Sequence, residues 1–239
     1  MMRGIRGAMM GGGGWTNPYI TDGLVAMYDG EWNAGYGVHD DSFVGMTNLV
    51  TGDRTTLTGS VVLGDKYIET PYQRQGVLDD QTLNKSLISG DYTIEVSLNL
   101  IRPTTGYTSC IWLFGGRGFF TVANQRIIFS TPSSVAFSDN SQTWLPSNRN
   151  TTYCIRGIWT SSNFNDYDIF SDGVNHNHRL RVWYNELRTD VDGIRLGNYS
   201  TDPDDTSQVK YYSVRLYDRK LTDNEIAANY AVDSQRFGV

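Results

Sequence analysis

Asp91-Tyr92-Thr93-Ile94-Glu95-Val96-Ser97-Leu98-Asn99-Leu100 is the stretch from which the fold can be read. Tyr92, Ile94, Val96, Leu98 and Leu100 alternate with Thr93, Glu95, Ser97 and Asn99, and an extended strand sends successive side chains to opposite faces. A helix would scatter both sets around its axis. The expectation is a strand that covers a core with its apolar set and shows water its polar set. On either side, strand-length segments at residues 20–28, 109–114, 119–123, 126–130, 152–159, 180–184, 193–196 and 209–217 are separated by Gly, Asn, Asp and Pro. Many short strands with turn signals between them predict a sandwich or barrel.

Composition agrees. The 239 residues include 8 Ala and 4 Lys against 23 Thr, 25 Gly and 15 Tyr, a set that favours strands and turns and excludes a helical bundle. One helix is expected, at the C-terminus. Thr222 and Glu225 form a capping box, Asp223 adds a second acid to the first turn, and Ile226, Ala227 and Tyr230 lie at helical spacing. A short helix packed on the sandwich is the reading. The net charge of −6 and the lack of any basic run exclude general nucleic-acid binding. No apolar run is longer than Cys110 to Phe114, which has the length of a buried strand and not the ~20 residues of a membrane span.

Residues 1–19 form a Gly-rich arm without periodicity, and residues 20–239 form the sandwich domain. The arm's charged start breaks into glycines before any apolar stretch of secretory length, so no signal peptide is expected and the chain is read as made in the cytoplasm. Cys110 and Cys154 sit in strand-like segments without a C-x-x-C spacing and are expected to be free, buried thiols.

The run Tyr211-Tyr212-Ser213-Val214-Arg215-Leu216-Tyr217-Asp218-Arg219-Lys220-Leu221-Thr222-Asp223-Asn224-Glu225-Ile226-Ala227-Ala228-Asn229-Tyr230 resembles the closing strand and helix of bacterial and phage laminin-G-like domains, within the concanavalin A-like lectin/glucanase superfamily. Asp22-Gly23-Leu24-Val25-Ala26-Met27-Tyr28-Asp29-Gly30 resembles the family's first strand, and Asn48-Leu49-Val50-Thr51-Gly52 resembles its D-L-S-G turn with Asn for Asp. Asp91 to Val96 is similar to its central strand and Ile194-Arg195-Leu196-Gly197 to a late, glycine-ended strand. The resemblance implies an all-β jelly-roll sandwich of two antiparallel sheets with a short C-terminal helix.

Glucan-cleaving enzymes of that superfamily carry carboxylates at alternate strand positions, so that an acid and a nucleophile face one cleft. The chain has five glutamates, Glu31, Glu69, Glu95, Glu186 and Glu225, and none has an acid two residues downstream. Asp29-Gly30-Glu31 reads as a solvated strand end. His176-Asn177-His178, near Asp172, reads as a pair of loop histidines and not a zinc site. The acids of Asn163-Phe164-Asn165-Asp166-Tyr167-Asp168 and Asp202-Pro203-Asp204-Asp205 could hold calcium in rim loops, but neither run fits an EF-hand. No other cofactor is implied. Gly115-Gly116-Arg117-Gly118 reads as a tight hairpin, and no G-x-S-x-G elbow occurs.

Six Trp, fifteen Tyr and nine Phe leave aromatics for loops as well as core. Trp112, Trp159 and Trp183, on strands, are assigned to the core. Tyr107, Trp144, Asn148, Arg149, Asn163, Tyr167, Tyr199 and Asp202 mix rings with hydrogen-bonding groups in loop contexts and are the candidate ligand-binding residues. No catalytic residue is assigned. The expected function is a non-catalytic lectin-like module of a phage virion, binding a glycan, or a partner protein through the N-terminal arm. The alternatives are a secreted or cell-surface carbohydrate-binding protein, a glycoside hydrolase, and a purely structural particle protein. No membrane partner is expected, and a homo-oligomer is left open.

Overall fold

A computed structural model of the chain describes residues 16–70, 76–80, 82–84, 90–102, 107–113, 120–123, 126–130, 135–137, 148–158, 167–175, 181–182, 193–198 and 208–239. Among these, two antiparallel sheets of eight strands each and one helix make a jelly-roll sandwich. The first sheet contains β1 (Leu24–Asp29), β5 (Val62–Leu63), β6 (Ile68–Thr70), β8 (Asp91–Arg102), β13 (Asn150–Ile158), β14 (Asp168–Ser171), β15 (Val174–Asn175) and β18 (Gln208–Tyr217). Its order is β15-β14-β13-β8-β18, after which β6 and β5 continue from one half of β18 and β1 pairs with the other half. The second sheet runs β16 (Arg181–Val182), β12 (Val135–Phe137), β11 (Arg126–Ser130), β10 (Phe120–Ala123), β9 (Tyr107–Leu113), β17 (Ile194–Asn198), β7 (Gly76–Asp80) and β4 (Thr58–Gly59). A small hairpin, β2 (Gly45–Thr47) with β3 (Arg54–Thr56), lies outside both.

The apolar set of β8 does what its alternation requires. Tyr92, Ile94, Val96, Leu98 and Leu100 are buried in one cluster with Tyr153, Ile155, Val209, Val214 and Leu216 from neighbouring strands and Ile194 and Leu196 from the second sheet. The first strand begins at Leu24, later than the sequence suggests, because the Leu24 amide closes a turn onto the Thr21 carbonyl and Gly23 takes φ +75°. That conformation suits glycine.

The polar set of β8 departs from expectation. Thr93, Glu95 and Ser97 are buried, not solvated, because helix α1 (Asp223–Phe237) lies across that outer face. A bulge in β18 makes this possible. Tyr211 pairs with Leu98 and Ser213 with Ser97, so one extra residue enters and the alternation of β18 changes phase. Val209 and Tyr211 face the core before it and Val214 and Leu216 after it, which leaves Ser213, Arg215 and Tyr217 beneath the helix. The register sets out cross-strand rows. Thr152, Ser97, Ser213 and Asp29 form one, and Cys154, Glu95, Arg215 and Met27 the next.

The helix begins at the expected cap. Thr222 accepts from the Glu225 amide while the Glu225 carboxylate accepts from the Thr222 amide. Arg219 grips the same carboxylate and holds its pKa down to about 2. The buried helical face runs Ile226, Asn229, Asp233, Phe237, whereas Ala227 is exposed. Its two polar members answer the polar floor. Thr222→Ala should cost about 0.5–2 kcal/mol, measured by denaturant titration, through loss of the cap.

Candidate functional site

The sequence candidates separate according to strand direction. Thr70 leads to Gly76 through residues 71–75 and Arg102 to Tyr107 through residues 103–106, each link crossing from the first sheet to the second. Such short links put those strand ends at the same end of the sandwich. Asn198, which pairs with Gly76, also ends there, as do the starts of β13 and β18, where Asn150 and Gln208 lie beside the far end of β8. The backbone of Tyr107, Asn148 and Arg149 is therefore at one end. Trp144, Asn163, Tyr199 and Asp202 lie outside the described residues, as does the Tyr107 side chain.

Asn148 and Arg149 are exposed. The Arg149 guanidinium meets Asp172 at 2.6 Å, and the other Asp172 carboxylate oxygen accepts from the Thr152 amide. Asn148 and Asp172 carry φ of 61° and 50°, the described non-glycine residues with positive φ. Asn and Asp tolerate that region better than other L-residues. Arg149 and Asn148 thus place exposed hydrogen-bond donors at a loop-bearing edge.

Tyr167 is a correction. It packs in the core at the opposite end, its hydroxyl donates to the Ile158 carbonyl, and its ring stands edge-on to Tyr92. Gly157 makes room for it, since a Cβ there would lie 2.2 Å from the ring. Tyr167 is therefore closed to ligand. Asp168, from the same acidic run, pairs with Arg156 at 2.7 Å. Among the described residues no group of His, Cys, Asp and Glu is arranged to hold a metal. His176 and His178, and Asp202 to Asp205, lie outside them.

The buried acids beside and beneath the helix serve the architecture of the sandwich. Asp29 is buried, not solvated, and with Glu31 it binds the Arg236 guanidinium at 2.7 and 2.8 Å. Burial still pushes the Asp29 carboxyl above its ordinary pKa. Arg236 also covers the Trp32 ring at 3.6 Å. Under the helix, Arg215 is fully buried between Asp233 at 2.6 Å and Glu95 at 2.9 Å. Asp233 receives both terminal guanidinium nitrogens, the Tyr19 hydroxyl and the Ser97 hydroxyl. Burial would raise its pKa, but these charged and neutral donors keep it below the ordinary value. Glu95 has fewer. One oxygen accepts from Arg215 Nε and Asn229, the other has no partner among the described residues, and burial outweighs Arg215 to raise its pKa. Cys154, beside Glu95 in the row, is a free thiol that burial pushes well up. Cys110 lies on β9, and its side chain is outside the description.

No protein-family model matches the chain, and no curated protein matches its sequence. Solved structures match its fold. A Trypanosoma rangeli sialidase in complex with sialic acid superposes with a TM-score of 0.59 at 11% identity over 90% of this chain and 33% of that one. The covalent 2,3-difluorosialic acid intermediate of the sialidase gives 0.61 at 12% identity over 96% and 35%. The receptor-binding domain of botulinum neurotoxin C/D mosaic serotype gives 0.62 at 10% identity over 90% and 52%. This chain thus spans about a third of the sialidase and half of the toxin domain, and at such identities what they share is the fold.

Proposed function

We propose that the chain is a non-catalytic, laminin-G-like recognition module whose ligand is a glycan, met at the end of the sandwich that carries Asn148 and Arg149. The observation that carries this reading is the employment of its glutamates. Glu31 is held by Arg236, Glu69 by Lys210 and Gln208, Glu95 by Arg215, and Glu225 by Arg219. Glu186 lies outside the described residues. Most glycosidases need a carboxyl free to exchange a proton and a second one facing it across the scissile bond, sialidases with their tyrosine nucleophile being an exception. A sialidase in complex with sialic acid among the fold neighbours supports a carbohydrate as the ligand class, and a toxin receptor-binding domain supports recognition.

The test has two arms. A glycan array probed with the full chain should give discrete positives, and incubation of those positives with the protein should release no reducing sugar. Reducing-sugar release above a heat-inactivated control would overturn the non-catalytic reading; a blank array would overturn the glycan.

A further inference from the structure

Beyond the end of α1, the outer face of the first sheet carries a third cross-strand row: Asn150 on β13, Asn99 on β8, Lys210 on β18 and Glu69 on β6. The two neighbouring rows lie beneath the helix, whereas all four residues of this one are half-buried and reach solvent. At ordinary inter-strand spacing the row is about 14 Å long. It alternates donors and acceptors. Asn99 donates to Asn150 Oδ1, which also receives the Tyr212 hydroxyl, and Asn150 donates to the Phe237 carbonyl.

Rings border the row. Tyr67 stands edge-on to Tyr212 at 5.9 Å, and Tyr212 lies against Phe237 at 5.3 Å. Lys210 Nζ sits 4.1 Å from the Tyr67 ring centre and 3.8 Å from Glu69. The ammonium is thereby neutralised within the row, and the strip offers no uncompensated charge to an ionic ligand. An apolar protein surface would find amides, a carboxylate and an ammonium here, all needing hydrogen bonds that it cannot supply. A polyhydroxylated ligand can supply both donors and acceptors.

We infer that this strip is a binding site for a neutral oligosaccharide running across the strands, bounded by Tyr67 and Glu69 at one side and Asn99 and Asn150 at the other. This rests on the glycan-binding reading above and adds a second place and a ligand class to it. The experiment measures affinity of the full chain and of Tyr67→Ala, Glu69→Gln and Asn99→Ala for neutral oligosaccharides positive on the array. Val174→Ala, on the exposed edge strand β15, is the control. Each strip variant should lose about five- to tenfold in affinity, the effect of one lost ring contact or charged hydrogen bond, while Val174→Ala binds as the parent does. A second measurement needs no substitution: saturating oligosaccharide should slow acetylation of Lys210, read by peptide mass spectrometry.

If the parent binds neutral glycans while the three variants bind equally well and Lys210 stays unprotected, the strip is overturned and glycan binding stands. If only acidic glycans bind, with affinity falling steeply in salt, the neutral assignment is overturned. A parent that binds none overturns the function and the strip together.

Discussion

Arg215→Met should destabilise the protein by about 3–5 kcal/mol, the cost typical of leaving a buried carboxylate without its cation. The side chain is fully buried, and its guanidinium is the cation shared by Asp233 and Glu95. Asp233 loses its two best donors in the variant and keeps only hydroxyls. Glu95→Gln, in the same cluster, should change stability by less than about 1 kcal/mol. That variant leaves the Arg215–Asp233 pair intact and removes the charge that the site holds less well, as the unpartnered Glu95 oxygen and its raised pKa indicate. Denaturant titrations of both variants measure the contrast. A loss in Glu95→Gln as large as that in Arg215→Met would show that Glu95, not Asp233, is the essential anion.

The pH dependence follows from the sign of the shifts. Without Arg215, burial raises both folded-state carboxyl pKa values above their unfolded values, so the stabilising contribution of protonation is fully present below the unfolded values and is lost as pH rises. The deficit of Arg215→Met relative to the parent should therefore shrink from pH 7 to pH 5. In the parent, Asp233 has a lowered pKa, and its contribution is present above the unfolded value and lost only as pH falls through the folded one.

Tyr19→Ala should cost about 3 kcal/mol or more, in the range for emptying a buried aromatic site. Its ring lies 4.1 Å from the Arg215 guanidinium, and its hydroxyl donates to Asp233 at 2.7 Å while accepting from Arg236 at 2.9 Å. The neighbouring Ile20 amide donates to Asn229 of the helix. This residue therefore ties β18, α1 and the N-terminal segment together. It also corrects the division at residue 19, since Tyr19 belongs to the sandwich. Deleting residues 1–14 should, by contrast, leave the thermal midpoint nearly unchanged, because six of these fourteen residues are glycines, whose ordering costs more backbone entropy than that of any other residue. A midpoint that falls as far in the deletion as in Tyr19→Ala would place the arm inside the fold. Loss of protease resistance at α1 in Tyr19→Ala is the companion readout.

Asn148 and Arg149 could be read as exposed turn residues because Asn and Arg beside a strand start, in a polar stretch, signal a turn with donors. Tyr167 looked equivalent, and what separates it is Gly157, ten positions earlier on a strand that pairs with the one Tyr167 precedes. Asn99, Lys210 and Glu69 gave no local signal either, since three polar residues on three strands become a row only through register.

The sequence by itself determined the local structure: the alternation of β8, most of the strand segments and the Thr222–Glu225 cap each depend on neighbours within a few residues. Only tertiary structure decided which faces meet water. The polar side of β8 is covered because a one-residue bulge turns Arg215 beneath a helix whose Asp233 lies 18 positions on, while Glu95 comes from 120 positions away. Alternation fixes that a strand has two faces, whereas what covers each is a matter of charge pairing and packing between segments that no local pattern connects.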